Sequence, residues 1–184
     1  MKRRALLVAA LALAGGPALA QIDPLTLKPI VKAVREGDDE KVRSALLKGE
    51  SPNQNDTTGQ PLLMVAVVAG HIAVVQTLLK GGAFVDGTDR EGYTSLIRAA
   101  ERGDAEMVKI LLARNARVDT QTRQGATALS IAARLGFAEV VRALLAKKAD
   151  PNKADFTGRT PLAYARQNRR QSIEIVLRQA GGRE

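Results

Sequence analysis

Apolar positions along the chain fall into short runs with helical spacing. Between Ala128 and Leu135, Leu129 and Ala132 lie on one side of a helix. Between Glu139 and Lys147, Val140, Val141, Leu144 and Leu145 recur at i, i+1, i+4 and i+5, an apolar stripe with a 3.6-residue period. Gly136 stands between the two runs, and a polar stretch follows the second. The pattern predicts a helix, a tight turn, a second helix and a loop. Thr127 stands where an N-cap hydroxyl accepts from a free amide at the helix start. Gly136 stands where a helix ends in a left-handed residue.

The same unit recurs every 33 residues. Gly59, Gly92, Gly125 and Gly158 share this step, as do Ala33, Ala66, Ala99, Ala132 and Ala165. So do Ile30, Leu63, Leu96, Leu129 and Leu162, then Gly37, Gly70, Gly103 and Gly136, and then Leu46, Leu79, Leu112 and Leu145. Five columns at one period mark stacked supersecondary units. The alanine column lets neighbouring helices approach closely. Thr94 and Thr160 repeat the N-cap, and Pro161 sits just inside its helix, where the missing N–H costs nothing. Gly49, Gly82, Asn115 and Lys148 fall where the second helix ends and a left-handed backbone is wanted; Lys148 is expected to cost about 1 kcal/mol there. Asn53, Asp86, Asp119 and Asn152 form a further column, expected to bond their own backbone and hold a turn.

These features resemble the ankyrin repeat. The resemblance is carried by "GQPLLMVAVVAGHIAVVQTLLKGGAFVD" (59–86), "GYTSLIRAAERGDAEMVKILLARNARVD" (92–119), "GATALSIAARLGFAEVVRALLAKKADPN" (125–152) and "GRTPLAYA" (158–165), and it spans residues 25–181. It implies an all-α solenoid of stacked helix-turn-helix units joined by hairpin-like loops, with units of about 26–58, 59–91, 92–124, 125–157 and 158–184. The family's T-P-L-H carries His after Leu, where this chain has Met64, Ile97, Ser130 and Ala163; that departure weakens the bracing of the turn. His71 matches a common structural position of the repeat. In the first unit Lys41 and Ala45 stand where Val74 and Leu78 follow later. In the last, Arg169 replaces the glycine, and Glu174 and Arg178 replace Val141 and Leu145 and can pair at i, i+4. Polar substitution at both ends suits terminal repeats. No linker interrupts the period, so a two-domain reading is excluded.

Composition agrees with closely packed helices: 45% of residues are hydrophobic, only 3% aromatic, and there is no Trp or Cys. The first twenty residues stand apart. Met1-Lys2-Arg3-Arg4 is a basic start, Ala5–Ala14 is apolar, Gly15-Gly16-Pro17 breaks the run, and Ala18-Leu19-Ala20 offers a cleavage site before Gln21. This predicts a secretory signal peptide and an exported protein, periplasmic or secreted. The apolar run is about half the ~20 residues of a spanning helix. The Arg3-Arg4 pair is weak ground for a twin-arginine route, Gln21 gives no lipid attachment point, and a chain without Cys needs no disulfide machinery. The formal net charge is +9. Residues 21–133 balance 14 basic against 14 acidic side chains, whereas residues 134–184 hold 11 basic and 5 acidic. The excess gathers in Lys147, Lys148, Lys153, Arg166, Arg169 and Arg170.

Catalytic, metal and cofactor chemistry have no foothold here. There is one His, no thiol, no nucleophile elbow and no phosphate loop. Asp38-Asp39-Glu40 suits the positive end of a helix better than a metal. Gly81-Gly82 lies at a helix end, the wrong geometry for a phosphate. The resemblance implies a partner protein held by the loop tips and the exposed side of the first helices. Carried across, the tips are Arg90, Glu91 and Tyr93, then Arg123 and Gln124, then Phe156, Thr157 and Arg159. The helix positions are Arg98, Glu101 and Arg102, then Ile131, Arg134 and Leu135, then Tyr164 and Gln167. Three of the five aromatics fall at these positions, and aromatics and Arg dominate interface hot spots. Replacing Tyr93 and Tyr164 is expected to weaken capture and spare folding. Phe84 and Phe137 are expected to pack. The expected function is non-catalytic protein binding by a monomer in the bacterial cell envelope: an adaptor, inhibitor or stabiliser. A second reading is peripheral attachment to an anionic surface through the basic C-terminal repeats, and a third is a solvated cap. Nucleic acid is not an expected partner.

Overall fold

The structure, a computed structural model, describes residues 28–183. The expected signal peptide lies outside the described residues. Ten helices follow in chain order: α1 (Pro29–Glu36), α2 (Asp39–Leu47), α3 (Leu62–Ala69), α4 (Ile72–Lys80), α5 (Ser95–Arg102), α6 (Ala105–Ala113), α7 (Ala128–Leu135), α8 (Ala138–Ala146), α9 (Pro161–Gln167) and α10 (Gln171–Gln179). They form five antiparallel pairs. The odd-numbered helices pack side by side in one row, with the even-numbered ones behind them. Loops project from each pair to the next, and two carry isolated antiparallel pairings, Asn55 with Pro61 and Thr88 with Thr94. Among the described residues no helix is long and apolar enough to cross a membrane.

Among the described residues no helix exceeds nine residues, too short to persist alone in water. Packing between units holds them. The alanine and leucine columns of the front row are all buried, none more than 2% exposed. The expected caps are present. Thr94, Thr127 and Thr160 accept from the amides of Ile97, Ser130 and Ala163. Ser130, where the family has His, returns a bond from the Thr127 amide and completes a capping box. Asp38 caps α2 through the Lys41 amide, with Asp39 and Glu40 in the first turn. Helix α8 begins one residue earlier than the sequence pattern suggests.

The glycines ending the odd helices have a second task. Gly103 adopts φ +72, and a Cβ there would lie 2.6 Å from the Phe137 ring. His71 lies likewise against Gly37 and Arg170 against Gly136, so three flat side chains cover the previous unit's cap. His71 Nε2 also lies 3.1 Å from the Arg35 carbonyl. Phe137 therefore packs as expected. Phe84 does not: its ring is 71% exposed. What its position supplies is the backbone amide.

That amide belongs to a ladder. Asn53 Oδ1 accepts from the Phe84 amide at 2.7 Å, Asp86 from Arg117 at 2.9 Å, Asp119 from Asp150 at 3.0 Å and Asn152 from Arg183 at 2.7 Å. Asn53 and Asn152 also donate to the carbonyls of Gly82 and Gly181. The column expected to hold its own turns instead ties each unit to the next. The turns are held by a different column, Asp56, Asp89, Thr122 and Asp155. Each accepts from the amides two and four residues on.

Left-handed geometry at non-glycine residues is confined to Asn115 (φ 61), Lys148 (φ 62) and Arg169 (φ 55) among the described residues. The last two are exposed and lack the short side chain that eases this conformation. Lys148→Gly and Arg169→Gly are each expected to raise unfolding free energy by about 1 kcal/mol, read from urea melts. Asp119→Ala, which strands the Asp150 amide, is expected to lower it by about 1–2 kcal/mol in the same assay.

Candidate functional site

The odd-numbered helices and the loop tips share one side of the stack. There, the residue nine after each turn residue decides the local chemistry. Asp89, at the end of the second unit, meets Arg98 of the third, with Nη2 at 2.8 Å, and Glu101 takes the other arm at 2.9 Å. The Arg98 guanidinium lies 3.7 Å from the centre of the Tyr93 ring, a cation–π contact. Burial works against the Arg98 charge, and the two carboxylates outweigh it and raise its pKa. In the fifth unit the Tyr164 hydroxyl donates to Asp155, and Arg159 lies 5.9 Å from the Tyr164 ring. At the junction of the third and fourth units the turn residue is Thr122 and the matching residue is Ile131, so this position has no polar pair. Asp56, at the end of the first unit, binds Arg35 of the same unit at 2.7 Å.

Ile131 is only 2% exposed. The sequence placed it on the open face; the structure corrects this. Positions 65, 98, 131 and 164 point at the loop stems, where Val65 and Ile131 are buried and Arg98 and Tyr164 half-buried. Tyr93, Glu101 and Leu135 are also half-buried, and Tyr93 and Leu135 pack on the core. The expectation that Tyr93 and Tyr164 can be removed without cost to folding is corrected too, since both are fixed by the contacts above. Arg90, Glu91, Arg102, Arg123, Gln124, Arg134, Phe156, Thr157, Arg159 and Gln167 are exposed.

Much of the expected set converges. A cleft of about 220 Å³ is lined by Tyr93, Gln124, Ala126, Ser130, Ile131, Arg134, Asp155 and Tyr164. It spans three units. The tips beside it are joined through the backbone: the Arg123 amide donates to Glu91 at 2.9 Å and the Phe156 amide to Gln124 at 3.2 Å. Phe156 is anchored by that bond and by Gly125 beneath its ring, yet remains 73% exposed. Sequence reasoning missed a second hollow, about 370 Å³, bordered by Arg35, Asp56, Gln60, Val65, Val68 and Ala69. It also missed Asp56, Asp89 and Asp155, although their 33-residue spacing was there to be seen. The expected basic cluster is partly consumed: Arg166 lies 3.7 Å from Glu174, which also pairs with Arg178, and Arg170 covers Gly136. Among the described residues no group of His, Asp and Glu could hold a metal ion.

Short helix pairs stacked in register, with projecting loops and a recessed face, define a repeat solenoid whose open side is a binding surface. The family described as Ankyrin repeats (3 copies) matches residues 30–122 and 103–182, and the chain belongs to it. No curated protein matches the chain. Ankyrin repeats are generally protein–protein interaction modules and typically non-catalytic.

Asp155 links this site to pH. Burial opposes its ionisation, but bonds from the Thr157 and Tyr164 hydroxyls and from the Arg159 and Thr157 amides outweigh burial and bring its pKa from 3.8 to about 2. A carboxyl held below its ordinary value stabilises the fold fully above pH 3.8, and that stabilisation is lost as pH falls through about 2. Tyr164→Phe removes one donor. It is expected to cost about 1–2 kcal/mol at neutral pH and to flatten the decline in stability between about pH 4 and 2, checked by urea unfolding at a series of pH values.

Proposed function

We propose that this is an exported protein, periplasmic or secreted, that captures another protein of the bacterial cell envelope as a monomer and performs no chemistry. It acts as an adaptor, inhibitor or stabiliser of that partner. The observation that carries the reading is the cleft between Tyr93 and Tyr164 with the bare ring of Phe156 on a neighbouring tip. An exposed aromatic held in place by backbone bonds is a preordered contact, and buried aromatics and arginines supply most interface energy. The export half of the reading rests on the first twenty residues.

Attachment to an anionic surface is the second reading. It draws on Lys147, Lys148, Arg169 and Arg170, which are exposed at the C-terminal end of the stack. Binding to anionic vesicles that disappears by about 0.5 M salt would support it.

The test is a cross-linked capture of tagged protein from its own envelope fraction, read by mass spectrometry. One dominant protein partner is expected, reduced at least about tenfold by Phe156→Ala with Arg134→Glu. Both changes are at exposed positions, so unfolding should shift by no more than about 1 kcal/mol. A partner that survives the double change intact would remove this face from the interface.

A further inference from the structure

The chemistry of the cleft narrows what kind of segment the partner inserts. At about 220 Å³ it falls below the ~300 Å³ at which small-molecule pockets begin, and suits one side chain. Part of its polar lining is already engaged. The Tyr164 hydroxyl is committed to Asp155, and Ser130 to Thr127. What remains for a ligand is the ring surface of Tyr93 and Tyr164 that Arg98 and Arg159 leave open, Ala126 beside it, and the polar groups of Gln124 and Arg134, which suits an apolar side chain with a polar or acidic neighbour.

The rim has the opposite character. Around the cleft Asp89 and Glu101 are spent on Arg98, Glu91 lies 3.7 Å from Arg123, and Asp155 accepts from four neutral donors and keeps its charge. Arg90, Arg102, Arg134 and Arg159 have no carboxylate within 4.0 Å among the described residues. Two of them belong to this site: Arg134 lines the cleft and Arg159 lies over the Tyr164 ring, whereas Arg90 lies over Gly59. The face therefore offers arginines without a paired carboxylate at a notch of mixed lining, in which Asp155 is an anion held by neutral donors.

We infer that the partner presents an acidic segment with one apolar anchor: an aliphatic or aromatic side chain seated between Tyr93 and Tyr164, flanked by Asp or Glu that meet Arg134 and Arg159. This rests on the protein-binding reading above and names the chemistry of the partner for the same face. A flat anionic membrane fits less well, because the notch is recessed between tips and helices and calls for an inserted side chain.

The test is selection of a random peptide-display library on the immobilised full chain, followed by measured affinities of recovered peptides. The expected result is enrichment of peptides with one Leu, Ile, Phe or Tyr among several Asp and Glu. Affinity should fall at least about tenfold with Arg134→Glu and Arg159→Glu, and also when the anchor is changed to Ser. The same charge reversal at Arg114, at the end of α6, should change it less than about twofold. Recovery of neutral or basic peptides that still need Phe156 would overturn the acidic inference and leave the protein-binding reading standing. No enrichment, or enrichment indifferent to Phe156, Arg134 and Arg159, would sink both. Anionic vesicles that bind with the same dependence on Arg134, with no peptide recovered, would replace the protein partner with a lipid surface.

Discussion

A side chain that reaches one unit ahead sets the geometry of this molecule. Asn53, Asp86, Asp119 and Asn152 each accept an amide 31 residues further on. The amide that receives this bond would otherwise be a loop donor in search of a partner. Satisfying it from the preceding unit fixes how far and at what angle successive units are placed. The apolar columns then meet in register, and the alanines bring the front helices together. Hydrophobic burial supplies the drive, but it is non-directional; the ladder supplies the direction.

From that regularity the binding face follows. The turn column holds each loop in one shape, while the residue nine positions on is free to vary: Arg98, Ile131 and Tyr164 in three successive units. Their different partners convert one scaffold into one specific surface. At Ile131 the preceding turn residue is Thr122 in place of an aspartate, so no side chain that pairs with a carboxylate is needed at that position. Specificity here comes from breaking the repeat at a single register.

Most of the fold could be read from the sequence because a period is a global signal. Caps, helix-ending glycines and apolar columns all agreed at 33 residues. What was misread shares a cause: the sequence shows residue type, while the role of some positions lies in the backbone or in the facing unit. Phe84 was expected to pack because of its ring, yet its amide is the functional group. The Asn/Asp column was expected to act locally, because local bonding is the common use of these side chains. Ile131 was placed outside because helix periodicity alone does not show that the next loop stem leans over it. In the candidate site, the exposed residues Arg134, Gln124 and Phe156 were identified from the resemblance, but their convergence on one cleft required the angle between units.

The cleft has walls from the third and fifth units and its lining residue Ile131 from the fourth, so it exists only while two junctions are closed. Lys148 and Arg169, both held in left-handed backbone, lie beside the later of those junctions. Occupancy and stacking are then thermodynamically linked: whatever fills the cleft draws on the same free energy that closes the C-terminal end of the stack. A ligand would act as a clasp on that seam, and slackening of the seam would register as lost affinity at a face whose residues had not changed.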